Sequence, residues 1–499
     1  MFLNSPRSYG NISEKIANSK SRIPNRFGIW NLQFKIFIMS APNIETIVNL
    51  AKRRGYVFPA SDIYGGLGSA WDYGQLGVEL ANNIKQNWWQ WMVHERDDME
   101  GLDSSIIQNR LVWKYSGHED TFSDPLVDCR TCKGRFRLDK LQDVSCPKNP
   151  KVRAGADKQC DFTEARQFNL MFRTTLGAAS AEDDPAAIAY LRPETAQGIF
   201  INFLNVLNTS RRKLPFGIAQ IGKSFRNEVT PGNFIFRTRE FEQMEMEYFC
   251  RPEEAAEIHQ YWIDACQEWF VGLGISSGNL KLYEQSKEEL AHYAARTVDI
   301  LYRFFPERED ADKQFDELMG IANRQDFDLK THSKKPENSE GKRLNPDSTE
   351  DLSYFDDARK ERFYPFVIEP AVGVNRTLLA VMMDAYSERE DRVILKLKPE
   401  LAPIKAAVLP LAKNKPEIVE TAKKIKKDLL ASFRTVYDDT AGIGKLYARQ
   451  DEIGTPFCVT VDHESLADMA VTVRMRDTWE QERVGTSQLK EYLQKRLQK

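Results

Sequence analysis

The chain has 499 residues, 41% of them hydrophobic and 29% charged, with a formal net charge of −3 and a pI near 6.2. At roughly 100–200 residues per domain this length exceeds a single core, and the composition excludes a fibrous or disordered protein. No stretch approaches the ~20 consecutive apolar residues of a membrane-spanning helix, and the charge balance excludes coating of nucleic acid by bulk positive charge, so such a partner must meet local basic patches.

Residues 1–39 set Arg7, Lys15, Lys20, Arg22, Arg26 and Lys35 against one acid, Glu14, and are expected to be a disordered extension. A helix is predicted over 43–54, where Ile44, Ile47, Val48, Leu50 and Ala51 recur at helical spacing before Gly55. Gly65, Gly66, Gly68 and Gly74 then crowd around Trp71, Asp72 and Tyr73. The next helical stretch, 76–92, carries Trp88, Trp89 and Trp91, which read as an interface between two copies.

The catalytic part is expected to span 40–398, with insertions near 118–160 and 250–350. The first is loop-rich and holds Cys129, Cys132, Cys146 and Cys160; the second ends in the polar 331–350, which has the composition of a solvated loop. Cys250, Cys266 and Cys458 lie in apolar runs and read as core. Seven cysteines without a secretory signal pattern predict a reducing, cytoplasmic setting. After Pro399, strands expected at 404–411, 435–437, 457–461 and 469–475 alternate with helices over 417–433 and 444–452, predicting an α/β domain over 399–499.

The chemistry concentrates in 217–249. Two extended runs flank Pro231-Gly232-Asn233, which is turn chemistry, so an antiparallel hairpin is predicted. Alternation puts Arg226 and Glu228 on one face of the first run and Arg237, Arg239, Phe241, Gln243, Glu245 and Glu247 on one face of the second. A solvated face with cross-strand ion pairs would look similar. Forked arginines suited to phosphate, a planar ring suited to a purine and carboxylates suited to an amine or metal together point to nucleotide binding by a sheet. Neither a P-loop nor a dinucleotide fingerprint is present. Two further signals are Arg376, placed by 368–376 at the start of an apolar helix over 377–386, and Glu194 in 191–198, where Pro193 and Gly198 make an ordered loop.

The Phe225-Arg226-Asn227-Glu228 run, the Arg237-Thr238-Arg239-Glu240-Phe241 return and the Gly373-Val374-Asn375-Arg376 turn resemble motifs 2 and 3 of class II aminoacyl-tRNA synthetases. Segments IYGGLGSAWDYGQLG, RPETAQGIF, FNLMF, GIANRQDFDL and YPFVIEP resemble the homodimeric glycyl-tRNA synthetases, in the same order from about residue 40 to the end. The resemblance implies an α+β fold: a class II antiparallel-sheet catalytic domain with insertions, and a C-terminal α/β anticodon-binding domain. It implies a homodimer that activates glycine with ATP and Mg²⁺ and transfers it to tRNA(Gly).

By the same resemblance Arg226 holds the α-phosphate and the glycine carboxylate, and Arg237 the γ-phosphate. Phe241 stacks on adenine with Arg376 on its other face, Asn227 belongs to the ATP set, and Glu228 hydrogen-bonds near the base. Glu369 positions Mg²⁺, while Glu194 and Glu245 meet the glycine amine. Family members often carry Ser after the Glu-Pro of motif 3; Ala371 stands there in this chain, removing a hydroxyl beside the glycine Cα. Cys129, Cys132, Cys146 and Cys160 resemble a structural zinc knuckle with its second pair split. Arg474, Arg476 and Arg483 near Trp479 suit unstacked anticodon bases. The alternative is a non-catalytic accessory relative that binds nucleic acid, which would be free to lose Arg226, Glu228, Arg237, Glu369 and Arg376; a class II enzyme for another small amino acid is a further rival.

Overall fold

The structure is a computed structural model describing residues 40–141, 144–156, 160–177, 187–228, 232–390 and 392–497. The expected extension over 1–39, and Pro231 of the expected turn, lie outside the described residues.

The main sheet has seven strands: β1 (Met99–Gly101), β2 (Phe216–Phe225), β3 (Glu240–Cys250), β4 (Leu280–Glu284), β5 (Arg296–Tyr302), β6 (Asp316–Gln325) and β7 (Phe366–Gly373). Their order is β4-β5-β6-β7-β3-β2-β1. Neighbours are antiparallel except β1, which runs parallel to β2 at the edge. The expected hairpin is the pair β2–β3, in register from Phe216↔Phe249 to Phe225↔Glu240.

Alternation along β3 sorts Met244, Met246 and Tyr248 to one face and Phe241, Gln243, Glu245 and Glu247 to the other. The apolar face joins a core built with α1 (Ile44–Arg54), α2 (Gly77–Trp89), α3 (Ala255–Gly272) and α4 (Val374–Ala385). α1 begins where Asn43 Oδ1 accepts from Thr46 N at 2.8 Å and ends at Gly55 in the left-handed region, φ 80°; a side-chain cap of this kind contributes about 1 kcal/mol.

Packing corrects one sequence expectation and adds detail to two others. Trp88 is fully buried in its own chain, and Trp91 stacks on Trp269 with centroids 5.6 Å apart, while Trp89 and Trp91 stay half-buried. The 250–350 stretch, expected as an insertion, supplies β4, β5 and β6 of the main sheet. Residues 331–350 form the expected solvated loop, largely exposed and without helix or strand after Thr331, anchored where buried Asn345 donates from Nδ2 to Thr331 O at 2.9 Å and Ser348 Oγ donates to His332 O at 2.7 Å. Local side-chain bonds replace the apolar burial that the composition lacks.

The C-terminal sheet contains β8 (Ala406–Pro410), β9 (Thr435–Tyr437), β10 (Phe457–Val461), β11 (Ala470–Met475) and β12 (Gln481–Gly485) in the order β9-β8-β10-β11-β12. Parallel pairings of β8 with β9 and β10 require the crossover helices α5 (Pro416–Leu430) and α6 (Ile443–Glu452). Arg54 Nε donates to Glu452 at 2.6 Å and Tyr56 OH to Ile453 O at 3.0 Å, tying α1 and its following loop to this domain.

Candidate active site

The polar face of the main sheet floors a cavity of about 500 Å³. Cross-strand neighbours Glu245, Ala371 and Gly320 form one row of that floor. Gly373 and Ala322 continue the small surface on either side, so the centre is shallow while charged side chains rise at the ends. Glu194, Arg226, Glu228, Arg237, Phe241, Glu245, Glu369, Ala371 and Arg376 all line this cavity. Asn227 is the expected site residue that does not: its backbone N–H donates to Leu170 O at 2.7 Å.

These residues reach the cavity by a route other than strand alternation. β2 ends at Phe225 and β3 begins at Glu240, so Arg226, Glu228 and Arg237 sit on the irregular segment beyond the ladder. Arg239, expected on the same face as Arg237, instead donates to the carbonyls of Gly68 and Glu228 and leaves the cavity. α4 starts at Val374, three residues earlier than expected, which puts Arg376 in its first turn.

At one end, acids converge. Glu194 Oε2 lies 3.2 Å from His118 Nε2, and its Oε1 accepts from Gln197 Nε2 at 3.1 Å, so it is an aimed carboxylate rather than a helix cap. Burial pushes Glu194 upward, but His118, Arg324 and Arg226 outweigh it and hold the carboxyl well below its usual range. Glu245 accepts from Thr195 Oγ1 and from Gln243 Nε2. Burial and the negative charges of Glu369 and Glu194 push it up to about 8. Glu369 is pushed up to about 7 by burial, with Arg324 opposing and Glu194 and Asp328 adding to the rise.

Oxygens of Glu245, Glu247 and Glu369 lie within 4.8 Å of one another, and both Glu247 oxygens are buried without a hydrogen-bond partner. Like charges this close cannot all ionise without a cation between them. Sequence reasoning missed Arg324, which donates to Glu369 at 2.9 Å and forks onto Asp328 with two bonds of 2.8 Å. Its alternation with Gly320 and Ala322 on β6 was the available signal.

At the other end, arginines and rings converge. The Arg226 guanidinium lies 5.3 Å from the Phe241 ring and 5.4 Å from the Phe122 ring, with Nε donating to Pro193 O at 2.9 Å. Arg237 faces Glu228 at 3.6 Å. Arg376 lies over Phe236 at 4.4 Å and faces Glu317 at 3.3 Å. A planar ring beside one arginine, with two more along the wall, suits a base followed by its phosphates.

Residues 180–385 match the model of the tRNA synthetase class II core domain of the G, H, P, S and T types, and 405–496 match an anticodon binding domain. The chain is 52% identical over 475 residues to a glycine–tRNA ligase of Thermobifida fusca, covering 91% of this chain and 98% of the relative. The chain belongs to the glycine–tRNA ligase family. A relative of the same name from Streptomyces coelicolor is 50% identical, covering 92% of this chain and 99% of its own. One from Thermus thermophilus is 48% identical, covering 92% of this chain and all of its own length.

With the family established, two peripheral expectations take different turns. Cys129, Cys132 and Cys160 pack in one small core with Phe136 and Phe162. Burial raises the Cys132 thiol and the charges of Cys129 and Cys146 add to it, while Cys160, against a backbone hydrogen bond from Gly155, is raised by burial and the same charges. The Cys129 thiol, despite burial, is lowered to about 7 by hydrogen bonds from the Thr131, Cys132 and Asp161 segment. Among the described residues the sulfurs do not gather within 4.8 Å as the oxygens of Glu245, Glu247 and Glu369 do.

Of the C-terminal arginines, Arg474 and Arg476 are buried, and Arg483 is exposed but paired. Arg474 forks onto Asp451 at 2.8 and 2.9 Å, both buried, and Arg476 donates to the carbonyls of Gly454 and Leu397 at 2.7 Å. Arg483 is tied to Asp462 and Asp468, and Trp479 packs under Arg389 at 4.0 Å. Acids outside the linear motif satisfy Arg474 and Arg483, and two carbonyls with the neighbouring Asp477 satisfy Arg476.

Proposed function

We propose that this chain ligates glycine to tRNA, the activity its relatives' name states, in two steps at the cavity on the main sheet. The observation that carries this is a single cavity with an anionic recess at one end and Arg226, Arg237 and Arg376 at the other. Glycine fits with its ammonium in the recess, met by Glu194, Glu245 and Glu369, and its carboxylate toward Arg226. A carboxylate oxygen then attacks the α-phosphorus of ATP and pyrophosphate leaves, giving glycyl-adenylate. A ribose hydroxyl at the tRNA 3′ end next attacks the glycyl carbonyl, and AMP leaves. No covalent side chain takes part; charge placement carries the chemistry.

Arg226 is assigned the α-phosphate, Arg237 the γ-phosphate, Phe241 the adenine face with Arg376 opposite, and Glu228 the base end. Glu369 was expected to position Mg²⁺; it sits with Glu245 and Glu247 in a carboxylate group that could hold a cation, and with Arg324 already donating to it we assign that cation as the glycine ammonium. Glu317, half exposed and 3.3 Å from Arg376, is the acid at the phosphate end. It would hold Mg²⁺, which neutralises phosphate charge when bound. Ala371 puts a methyl in the floor between Glu245 and Gly320, and selection for glycine then rests on the space this row denies to a Cβ.

Zinc on Cys129, Cys132, Cys146 and Cys160, a homodimer and a cytoplasmic setting complete the reading. Total zinc near zero in protein purified without chelator would remove the first, and sedimentation of purified protein checks the second. The non-catalytic accessory reading has no support, since all five residues that such a relative could lose line the cavity. The deciding experiment is ATP–pyrophosphate exchange across a panel of amino acids. Exchange with glycine alone is expected; exchange driven better by serine or alanine would overturn the substrate.

A further inference from the structure

Glu194 is held from two sides, and one of the two holds comes from outside the matched core. Gln197, which donates to Oε1, belongs to that core and is itself fixed by Asp328 at 3.1 Å and His332 at 2.8 Å. His118, facing Oε2, stands on the short helix His118–Thr121 at the foot of the cysteine-bearing insertion, before the core match begins at residue 180.

The His118 ring is itself fixed. It lies edge-on to Trp113 at 5.4 Å and against Phe122 at 5.2 Å, with Nδ1 2.8 Å from Ser116 Oγ. Ser116 Oγ also lies 3.4 Å from Trp113 O. A neutral ring with its proton on Nε2 needs Nδ1 to accept, and the Ser116 hydroxyl supplies that hydrogen. A charged ring needs Nδ1 to donate, and the same hydroxyl turns to Trp113 O to accept it. In both states a proton on Nε2 faces the Glu194 carboxylate.

The same stem braces the opposite wall. Phe122 lies beside Arg226, Leu170 N donates to Phe122 O at 3.0 Å, and Leu170 O accepts from Asn227 N at 2.7 Å.

We propose that His118 is a positioning residue for the amino acid: its Nε2–H holds Glu194 in the orientation that meets the glycine ammonium, so that the insertion completes a pocket the core leaves with a single hold. This rests on the assignment of Glu194 to the ammonium. A carboxylate with one hold can turn away from the recess, and misplacement on the scale of 1 Å costs about 10²-fold in an aligned site.

The test is glycine-dependent ATP–pyrophosphate exchange by the full chain, comparing His118→Gln and His118→Phe. Both fill the aromatic slot, and the first can still donate to Glu194. His118→Phe is expected to raise KM for glycine roughly 10- to 100-fold with KM for ATP and the unfolding midpoint unchanged, while His118→Gln recovers most of the loss. Equal behaviour of the two variants, or a rise in KM for ATP matching that for glycine, would overturn the proposal. Glu194→Gln runs beside them. If it leaves KM for glycine unchanged, the ammonium assignment itself fails; if it raises KM while His118→Phe does not, only the role of His118 is lost.

Discussion

Two regions of this molecule look alike in sequence and differ in structure. Around 226–241, Arg226 and Arg237 line one cavity together with Arg376, and the acids near them leave much of their charge unmatched. Around 474–483, Arg474, Arg476 and Arg483 are closed off by Asp451, Asp477, Asp462 and Asp468. An arginine cluster becomes a ligand site only where folding withholds the partners that would otherwise neutralise it. A carboxylate about 20 residues away in the chain is invisible to a local motif and decisive in space.

The largest expected effect that tests this contrast is at Arg226. Arg226→Ala should lower glycine-dependent exchange by roughly 10²–10³-fold while tRNA binding, read by filter retention, stays near normal. Near-normal exchange would break the comparison at its active side. Arg474→Ala should act in the opposite sense. It leaves Asp451 buried and unpaired and should cost about 3–5 kcal/mol in denaturant unfolding. A variant that stays stable but loses tRNA would show Arg474 to be a contact after all.

Smaller effects sharpen the picture of the cavity. Phe241→Ala should raise KM for ATP about tenfold through roughly 1–2 kcal/mol of lost stacking, with KM for glycine less affected. The recess should show in pH dependence. Glu245 and Glu369 titrate near 8 and 7, so kcat/KM for glycine should rise as pH climbs from 6 to 8 and these carboxyls ionise. Stability of the unliganded protein should move the other way. A carboxyl with a raised folded-state pKa keeps its proton folded and loses it unfolded, so that stabilisation fades as pH rises from about 4.5 toward about 8. Glu245→Gln should flatten that slope in thermal unfolding scans; an unchanged slope would place the titrating group elsewhere.

Much of the fold was legible because periodicity and punctuation are local. Asn43 and Gly55 bracket α1 as read, and 457–461 is a strand to the residue. The β2–β3 hairpin followed from two extended runs around turn residues. What failed locally failed for a physical reason: strand alternation was extended past Phe225 and before Glu240, where the ladder stops, and Arg239 turned away to the Gly68 carbonyl. The 250–350 stretch was misjudged because polar composition hides sheet membership when pairing is contributed by distant strands.

By itself the sequence determined which residues could bind phosphate, base and amine, since side-chain chemistry is carried by residue identity and motif order is carried by the chain. The α+β class was implied by the resemblance of those motifs, while apolar periodicity marked single elements such as α1. Only the tertiary structure decided which charges are spent and which are free. Arg324, Gln197 and His118 reach Glu194 and Glu369 from three separate segments, and the Asp451 that silences Arg474 lies on another element. Electrostatic partnership falls off over a few ångströms of space, and distance along the chain does not report it.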